Sequence, residues 1–194
     1  MAGAKTAMRD QLLTTRNRRP LLERSAAARE LALELMAAPE VRRAATVTAY
    51  VAVGSEPGTA PLLDALVAAG KRVLLPVVLP DLDLDWAAYA GDHDLAPARY
   101  GLLEPVGSRL GVEAVATADV VLVPGMAVSA RGERLGKGGG CYDRALARVP
   151  HGTFTCVLLY DDEVGVDVPV EPHDRPVTAA ASPAGIVRFA PAGG

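Results

Sequence analysis

The sequence predicts an α/β domain with a parallel sheet, and three observations carry that prediction. Segments rich in apolar and β-branched residues, such as TVTAYVAV (46–53) and RVLLPVV (72–78), alternate with segments of helical character. One short helical pattern separates these two segments, which is the order of a βαβ unit and therefore of parallel strands. The 194 residues suffice for one hydrophobic core, and no linker or internal repeat divides them.

Each predicted element follows from its local pattern. Two helices come first and are separated by Pro20, which ends the first helical run. Strands and helices then alternate, with glycine and proline at their ends. The elements are helices at 5–19 and 22–36, a strand at 46–53, a helix at 59–69, strands at 72–78, 83–90 and 119–125, a helix at 142–149 and a strand at 153–160. The boundaries are one domain over 1–194, with two N-terminal helices within 5–37 and an α/β body at 46–189. We expect loops over 92–109 and short edge strands after 161.

The composition is that of an ordinary soluble globular domain, with 50% apolar and 22% charged residues. A formal net charge of −3 gives no reason to expect nucleic acid or an anionic membrane as partner. No apolar run approaches the roughly 20 residues that span a bilayer, and the N-terminus has no signal-peptide pattern. Cys141 and Cys156 cannot form a disulfide scaffold, so we expect a cytoplasmic protein.

Candidate chemistry is concentrated in RLGKGGGCYDR (134–144), which has four glycines in five positions. Glycine loses much conformational entropy on ordering. The segment is therefore expected to be either a sharp turn into a helix or a loop whose backbone N–H groups hold phosphate. It fits neither the Walker A pattern nor the dinucleotide-binding pattern. Arg134, Lys137 and Arg144 would supply positive charge to a bound phosphate.

Acidic residues near this segment have two interpretations each. Asp143 would repel a phosphate unless Mg²⁺ bridged the two, but an acid in the first turn of a helix is equally well explained by the helix dipole. Asp174 either completes a magnesium site or is an ordinary loop acid, and His173 beside it is a candidate acid or base. Glu56 follows strand 46–53 at the edge where open α/β sheets bind ligands, although Glu-Pro is also common in turns.

Together these segments resemble the 5-formyltetrahydrofolate cyclo-ligase family, also called 5,10-methenyltetrahydrofolate synthetase. The most specific match is the block VLVPGMAVSARGERLGKGGGCYDRAL (121–146). The other matches, in chain order, are K-x-x-x-R (Lys5 and Arg9), YVAVGSEPGT (50–59), YGLLEP (100–105) and EPHDRPV (171–177). The resemblance implies a three-layer α/β/α fold related to the ribose-isomerase and CoA-transferase superfamily.

The resemblance also implies an activity and a set of site residues. The reaction is the ATP- and Mg²⁺-dependent conversion of 5-formyltetrahydrofolate to 5,10-methenyltetrahydrofolate, with release of ADP and phosphate. The implied residues are, for ATP, Lys5, Arg9, Arg134, Leu135, Gly136, Lys137, Gly138, Gly139, Gly140, Cys141 and Tyr142; for the folate, Val51, Glu56, Lys137, Gly138, Gly139, Gly140 and Cys141; for Mg²⁺, Asp143 and Asp174; and for catalysis, Arg134, Lys137 and Arg144. Such a site acts by positioning and charge neutralisation. We expect small-molecule partners and a monomer.

Three segments depart from the family pattern. Cys141 stands where the family usually has an aromatic residue, MAVSARG (126–132) lacks the usual phenylalanine and aspartate, and YDDEVG (160–165) lacks a glutamine that is often found there. One alternative is a nucleotide- or folate-binding protein of the same fold without turnover. The other is a phosphosugar isomerase or CoA-transferase relative, but the glycine-rich block contains no glutamate after Glu133 to act as the transferase nucleophile.

Overall fold

The computed structural model describes residues 2–190. Within them, a seven-stranded sheet is accompanied by helices and by two small two-stranded sheets. The helices are α1 (Ala2–Arg18), α2 (Leu21–Ala37), α3 (Pro39–Arg43), α4 (Ala60–Ala68) and α5 (Cys141–Ala147). The strands are β1 (Thr46–Thr48), β2 (Arg72–Val78), β3 (Leu84–Tyr89), β4 (Leu95–Pro97), β5 (Leu103–Pro105), β6 (Val120–Pro124), β7 (Ala127–Val128), β8 (Arg134–Leu135), β9 (Phe154–Leu158), β10 (Ala179–Ser182) and β11 (Gly185–Arg188).

The large sheet is mostly parallel, as the sequence predicts. Its strand order is β11-β10-β9-β6-β1-β2-β3, and the five central strands run parallel to one another. The edge strands β3 and β11 are antiparallel to their neighbours. The predicted βαβ unit is confirmed, because β1 pairs in parallel with β2 across α4, with Thr46 opposite Arg72.

Hydrophobic side chains cover both faces of this sheet. On β6, Val120 and Leu122 pack in the cluster that contains α2 and α4, whereas Val121 and Val123 pack in the cluster that contains α5. Successive residues of a strand point to opposite faces, so a strand buried on both sides is a continuous apolar run. The three-layer α/β/α arrangement is therefore confirmed.

Several boundaries differ from the sequence prediction. The strand predicted at 46–53 is paired only over Thr46–Thr48, because side chains take over the backbone hydrogen bonds that follow. The Thr59 hydroxyl accepts from the Ala52 N–H and donates to the Tyr50 carbonyl. The Glu56 carboxylate accepts from the Val53 N–H.

Two short hairpins were missed. The segment expected to be loop over 92–109 contains β4 and β5, which pair with each other. The glycine-rich segment does not follow β6 directly, as the sequence suggested, since the β7–β8 hairpin intervenes. Strands of two or three residues are too short to give a periodic pattern. Within residues 2–190, no helix is both long and apolar enough to cross a bilayer.

Candidate functional site

A cleft of about 490 Å³ lies at the carboxyl ends of the parallel strands. Its walls come from α1, the segment after β1, the ends of β2 and β6, the glycine-rich loop before α5 and the loop at 171–174. The carboxyl edge of an open α/β sheet is the usual ligand site of such folds, and this volume is typical of small-molecule pockets. The fold therefore provides one cleft to which distant parts of the chain contribute.

The cleft brings together most of the residues singled out from the sequence. Those that line it are Lys5, Arg9, Val51, Glu56, Arg134, Gly136, Lys137, Gly138, Gly139, Gly140, Cys141, Tyr142, Asp143, His173 and Asp174. Two predicted site residues are not part of its wall. Leu135 is buried in a small apolar cluster with Met126, and Arg144 instead donates to the Asp81 carbonyl. The Arg144 guanidinium thus has a backbone partner away from the cleft wall, and its catalytic role stays a prediction.

The loop at 136–140 has a backbone that requires glycine. Gly138 and Gly140 have φ values of +105° and +70°, a region in which other residues are strained. A β-carbon on Gly138 would lie 3.4 Å from the guanidinium carbon of Arg9, so that side chain lies against the loop. Arg9 Nε donates to the Gly136 carbonyl at 2.8 Å. Within residues 2–190 no carboxylate lies within ion-pair distance of Arg9, which leaves it as a cleft cation available to an anionic ligand.

The lysine of this loop reaches across the cleft. Lys137 Nζ lies 2.6 Å from the Glu56 carboxylate. Glu56 is buried, but 55% of the Lys137 side chain is exposed. An ion pair with one such exposed partner contributes little to stability. The contact therefore joins the glycine-rich loop to the turn after β1, but it stabilises their relative position only weakly.

The far end of the cleft holds a buried lysine between two carboxylates. Lys5 Nζ lies 2.7 Å from both Glu171 and Asp174, and Asp174 also accepts from the Glu171 N–H. Burial is the largest single influence and raises the pKa of Asp174, but the hydrogen bonds from Lys5 and from the Glu171 N–H, together with the charge of Lys5, lower this pKa overall. Burial lowers the pKa of Lys5, yet its two carboxylate partners raise it overall. The group is thus held in its charged form.

Asp143 lies next to this acidic group. Its Oδ1 accepts from Arg134 at 3.2 Å and from the Arg175 N–H at 3.1 Å, and Arg175 directly follows Asp174. The two predicted metal ligands, Asp143 and Asp174, are therefore close together, because Asp143 bonds to the backbone of the residue that follows Asp174. Glu171, His173 and Asp174 each offer a ligand atom within 4.8 Å of the others. Carboxylate oxygens of this kind suit a hard divalent cation.

Two residues at the start of α5 are neutral at ordinary pH. Burial raises the pKa of the Cys141 thiol, so little thiolate forms there. Burial also raises the pKa of the Tyr142 hydroxyl well above its usual range, and the Arg134 guanidinium lies 6.0 Å from the Tyr142 ring. Neither side chain is therefore in the ionised form that a nucleophile requires.

Several residues that line the cleft are not among the predicted site residues. Glu171 is the clearest case, although Glu-Pro at 171–172 begins a turn that returns to Asp174, and this signal was available. Glu104 lines the cleft while accepting from the Val78 N–H. An apolar wall is made by Pro76, Val78, Leu84, Leu102 and Leu103. Nothing in a continuous apolar run tells which of its residues will face a ligand.

Comparison with known proteins shows which family the chain belongs to. The model of the 5-formyltetrahydrofolate cyclo-ligase family matches residues 1–183. The chain belongs to this family. A 5-formyltetrahydrofolate cyclo-ligase of Mycolicibacterium smegmatis is 44% identical over 143 residues, covering 71% of this chain and 73% of that protein. The enzyme of that name from Escherichia coli K12 is 34% identical over 157 residues, covering 79% and 86%.

Solved structures agree with the family assignment. The NMR structure of Aquifex aeolicus 5,10-methenyltetrahydrofolate synthetase superimposes with a TM-score of 0.83 at 26% identity, covering 98% of this chain and 95% of that one. The 5,10-methenyltetrahydrofolate synthetase of Mycoplasma pneumoniae gives a TM-score of 0.73 over 92% and 98% of the chains, and at 19% identity it supports the fold alone. The predicted family and fold class are both confirmed.

Proposed function

We propose that the protein closes the ring of 5-formyltetrahydrofolate to give 5,10-methenyltetrahydrofolate, using MgATP and releasing ADP and phosphate. One observation carries this proposal beyond family membership. A single cleft is lined by a glycine-rich loop with an arginine held against it, a cluster of carboxylates, several apolar side chains and a buried glutamate. A phosphate donor and a flat, largely apolar acceptor can therefore meet inside it.

The phosphate half of the site is the loop at 136–140 with α1. Backbone N–H groups in a glycine-rich loop approach phosphate oxygens closely. Arg9 is already held against this loop by the Gly136 carbonyl, and Lys137 extends from it. Arginine offers a planar pair of donors and lysine a compact charge, so together they neutralise different phosphate oxygens.

The folate half is the opposite wall. Val51 and the apolar residues from β2 and β3 suit an aromatic ring system, and Glu56 provides a buried carboxylate for ring N–H donors. Lys137 pairs with the Glu56 carboxylate. We propose that this contact breaks when both ligands bind. The Lys137 ammonium then faces the phosphoryl group, and Glu56 accepts hydrogen bonds from the pterin instead.

The chemistry needs little from the protein beyond placement and charge. In the proposed reaction the formyl oxygen takes the γ-phosphoryl group of ATP, N10 of the folate attacks the activated carbon, and the formyl oxygen leaves as part of phosphate. An amide-like oxygen leaves poorly unless it is activated in this way. Phosphoryl transfer of this kind depends on positioning and electrostatic stabilisation. The cations that line the cleft are suited to this task; they are Lys5, Arg9, Arg134 and Lys137.

The acidic end of the cleft fits a magnesium ion. Asp143 and Asp174 are the ligands we assign, with Glu171 beside them. The Lys5 ammonium bonded to Asp174 and Glu171 indicates that this position stabilises positive charge. Bound Mg²⁺ would supply neutralisation of phosphate charge. Lys5 would then contribute to the same neutralisation from α1.

The test is a direct assay of the purified protein with 5-formyltetrahydrofolate and MgATP. We expect methenyl absorbance to rise in the near ultraviolet, with one ADP formed per product. Omitting ATP, or removing divalent cations with EDTA, should abolish the rise. Absence of both product and ADP, with nucleotide still bound, would instead favour the binding protein without turnover.

A further inference from the structure

Helix α1 presents a single buried face that is unusually polar. Lys5, Arg9, Leu12 and Arg16 recur at spacings of four, three and four residues, so they share one side of the helix. Among residues 3–18, Lys5 and Arg16 are the fully buried positions, while Met8, Arg9 and Leu12 are half-buried. Apolar packing on this face is therefore limited, and ionic contacts must fix where the helix lies.

Arg16 makes the most enclosed of these contacts. Its side chain is 1% exposed and binds both oxygens of Glu163, through Nε at 2.7 Å and Nη2 at 2.8 Å. Nη2 also donates to the Gly125 carbonyl at 2.7 Å. Gly125 follows β6 and lines the cleft. One guanidinium thus joins α1 to the wall of the cleft, although Arg16 itself does not line it.

Glu163 extends this connection to a third segment. Its carboxylate accepts from the Tyr160 N–H at 3.0 Å, and the Tyr160 hydroxyl donates to the Ser55 carbonyl at 3.3 Å. Ser55 adjoins Glu56. The Arg16–Glu163 pair therefore links α1 directly to the segment after β6, and through Tyr160 to the turn after β1. Each of these segments carries residues of the cleft.

We propose that Arg16, held by Glu163, is a positioning residue of the nucleotide site, which sets α1 so that Lys5 and Arg9 reach the phosphates. This inference rests on the proposed function for the identity of the ligand. The negative charge of Glu163 is matched in this chain by the buried Arg16.

The energetics separate positioning from stability. A buried ion pair adds little net stability, because removing both charges from water costs about as much as their attraction returns. Loss of one partner is destabilising, since it leaves an uncompensated buried charge. Replacement of both partners by apolar residues of similar length should therefore restore stability. It cannot restore the three directed bonds that fix the helix, two from Arg16 to Glu163 and one from Arg16 to Gly125.

The experiment compares Arg16→Met, the double variant Arg16→Met with Glu163→Met, and the matched control Arg18→Met. Arg18 is exposed on the same helix and makes no described contact within residues 2–190. Glu163→Gln is the conservative variant, since it keeps an acceptor oxygen for Arg16. The readouts are the melting temperature, the Kd for MgADP by calorimetry, and KM for ATP and for 5-formyltetrahydrofolate.

We expect Arg16→Met to lower the melting temperature and to raise the Kd for MgADP and the KM for ATP by about tenfold or more. The KM for the folate should change less. The double variant should recover most of the melting temperature while the KM for ATP stays high. Glu163→Gln should stay within about threefold of the wild type in nucleotide affinity, and Arg18→Met should match the wild type.

Three results would overturn the inference: recovery of nucleotide affinity together with stability in the double variant, equal losses for ATP and folate, or an unchanged Kd in Arg16→Met. A wild-type protein that binds MgADP but forms no product would overturn the proposed function alone, because the affinity comparison would still test Arg16. A wild-type protein that binds no nucleotide would overturn both.

Discussion

Charged residues have different partners at the two ends of the parallel strands, which are called here the amino edge and the carboxyl edge of the sheet. At the amino edge, Asp119 accepts from the N–H groups of Ala45 and Thr46, at 2.8 and 2.9 Å. Lys71, also at this edge, donates to two backbone carbonyls that precede β1, at 2.8 and 2.7 Å. These side chains satisfy backbone groups where a strand begins. Their hydrogen bonds stabilise the fold and involve no residue of the cleft.

At the carboxyl edge, charged side chains pair with each other over long stretches of sequence. Lys5 meets Asp174, Arg16 meets Glu163 and Lys137 meets Glu56. Such pairs join separate segments around a cleft. Lys5, Asp174, Lys137 and Glu56 line the cleft, so a ligand can reach the pairs that they form, whereas Arg16 and Glu163 are enclosed. The type of a charged residue therefore does not indicate its function. A long-range ion pair also occurs at the amino edge, between Arg188 and Glu40, so a side-chain partner points to function only where the pair lines the cleft.

Two lysines give the strongest test of this contrast. Lys137→Met should reduce turnover by about 10²–10³-fold, because a charge aimed at the phosphoryl group is lost. Its melting temperature should hardly change, as the side chain is largely exposed. Lys71→Met should do the reverse, with the free energy of unfolding reduced by about 1 kcal/mol and kcat unchanged. Steady-state kinetics and urea unfolding of both variants measure the two effects.

Activity loss in Lys71→Met at a temperature where it is folded would break the distinction between the edges. Full activity in Lys137→Met would remove the lysine from the proposed reaction.

Two aspartates give a second, smaller comparison. Asp143→Asn keeps an oxygen for the Arg175 N–H but loses the charge, and we expect turnover to fall by about 10–100-fold with higher Mg²⁺ needed for half-maximal rate. Asp119→Asn should leave the magnesium dependence as it is and lower stability slightly. The measurement is the initial rate as a function of Mg²⁺ concentration. An unchanged magnesium curve for Asp143→Asn would assign the metal to other carboxylates.

The smallest expected effect belongs to an ion pair at the amino edge. The Arg188 hydrogen bond lowers the pKa of Glu40 from 4.5 to about 2 in the folded protein. The charged carboxylate therefore stabilises the fold above pH 4.5, and this contribution disappears as the pH falls towards 2. Because Arg188 is partly exposed, Glu40→Gln should cost at most about 1 kcal/mol at pH 7.

The difference in unfolding free energy between Glu40→Gln and the wild type should shrink as the pH falls through this range, with kcat the same for both. Chemical unfolding at several pH values would measure it. A difference that persists at pH 2 would show that another contact is responsible.

How much the sequence could predict depended on the range of the interactions. The buried strand 72–78 matches β2 because apolar residues dictate it locally. The strand at 46–53 was predicted too long because its last backbone groups bond to Thr59 and Glu56, which a local pattern does not reveal. The family block led to the residues of the cleft, but the pairing of Arg16 with Glu163, 147 positions apart, could come only from the fold.

The contact between Lys137 and Glu56 gives each of these two cleft residues a counterion from the protein itself. A ligand that occupies only one of these two groups leaves the other without its counterion, whereas two ligands that each take one group share that cost. Nucleotide and folate should therefore assist each other's binding, by up to about fivefold for an ion pair with one exposed partner. The Kd for MgADP measured with and without the folate would reveal this mutual dependence. By thermodynamic linkage, the same factor must appear when the order of addition is reversed.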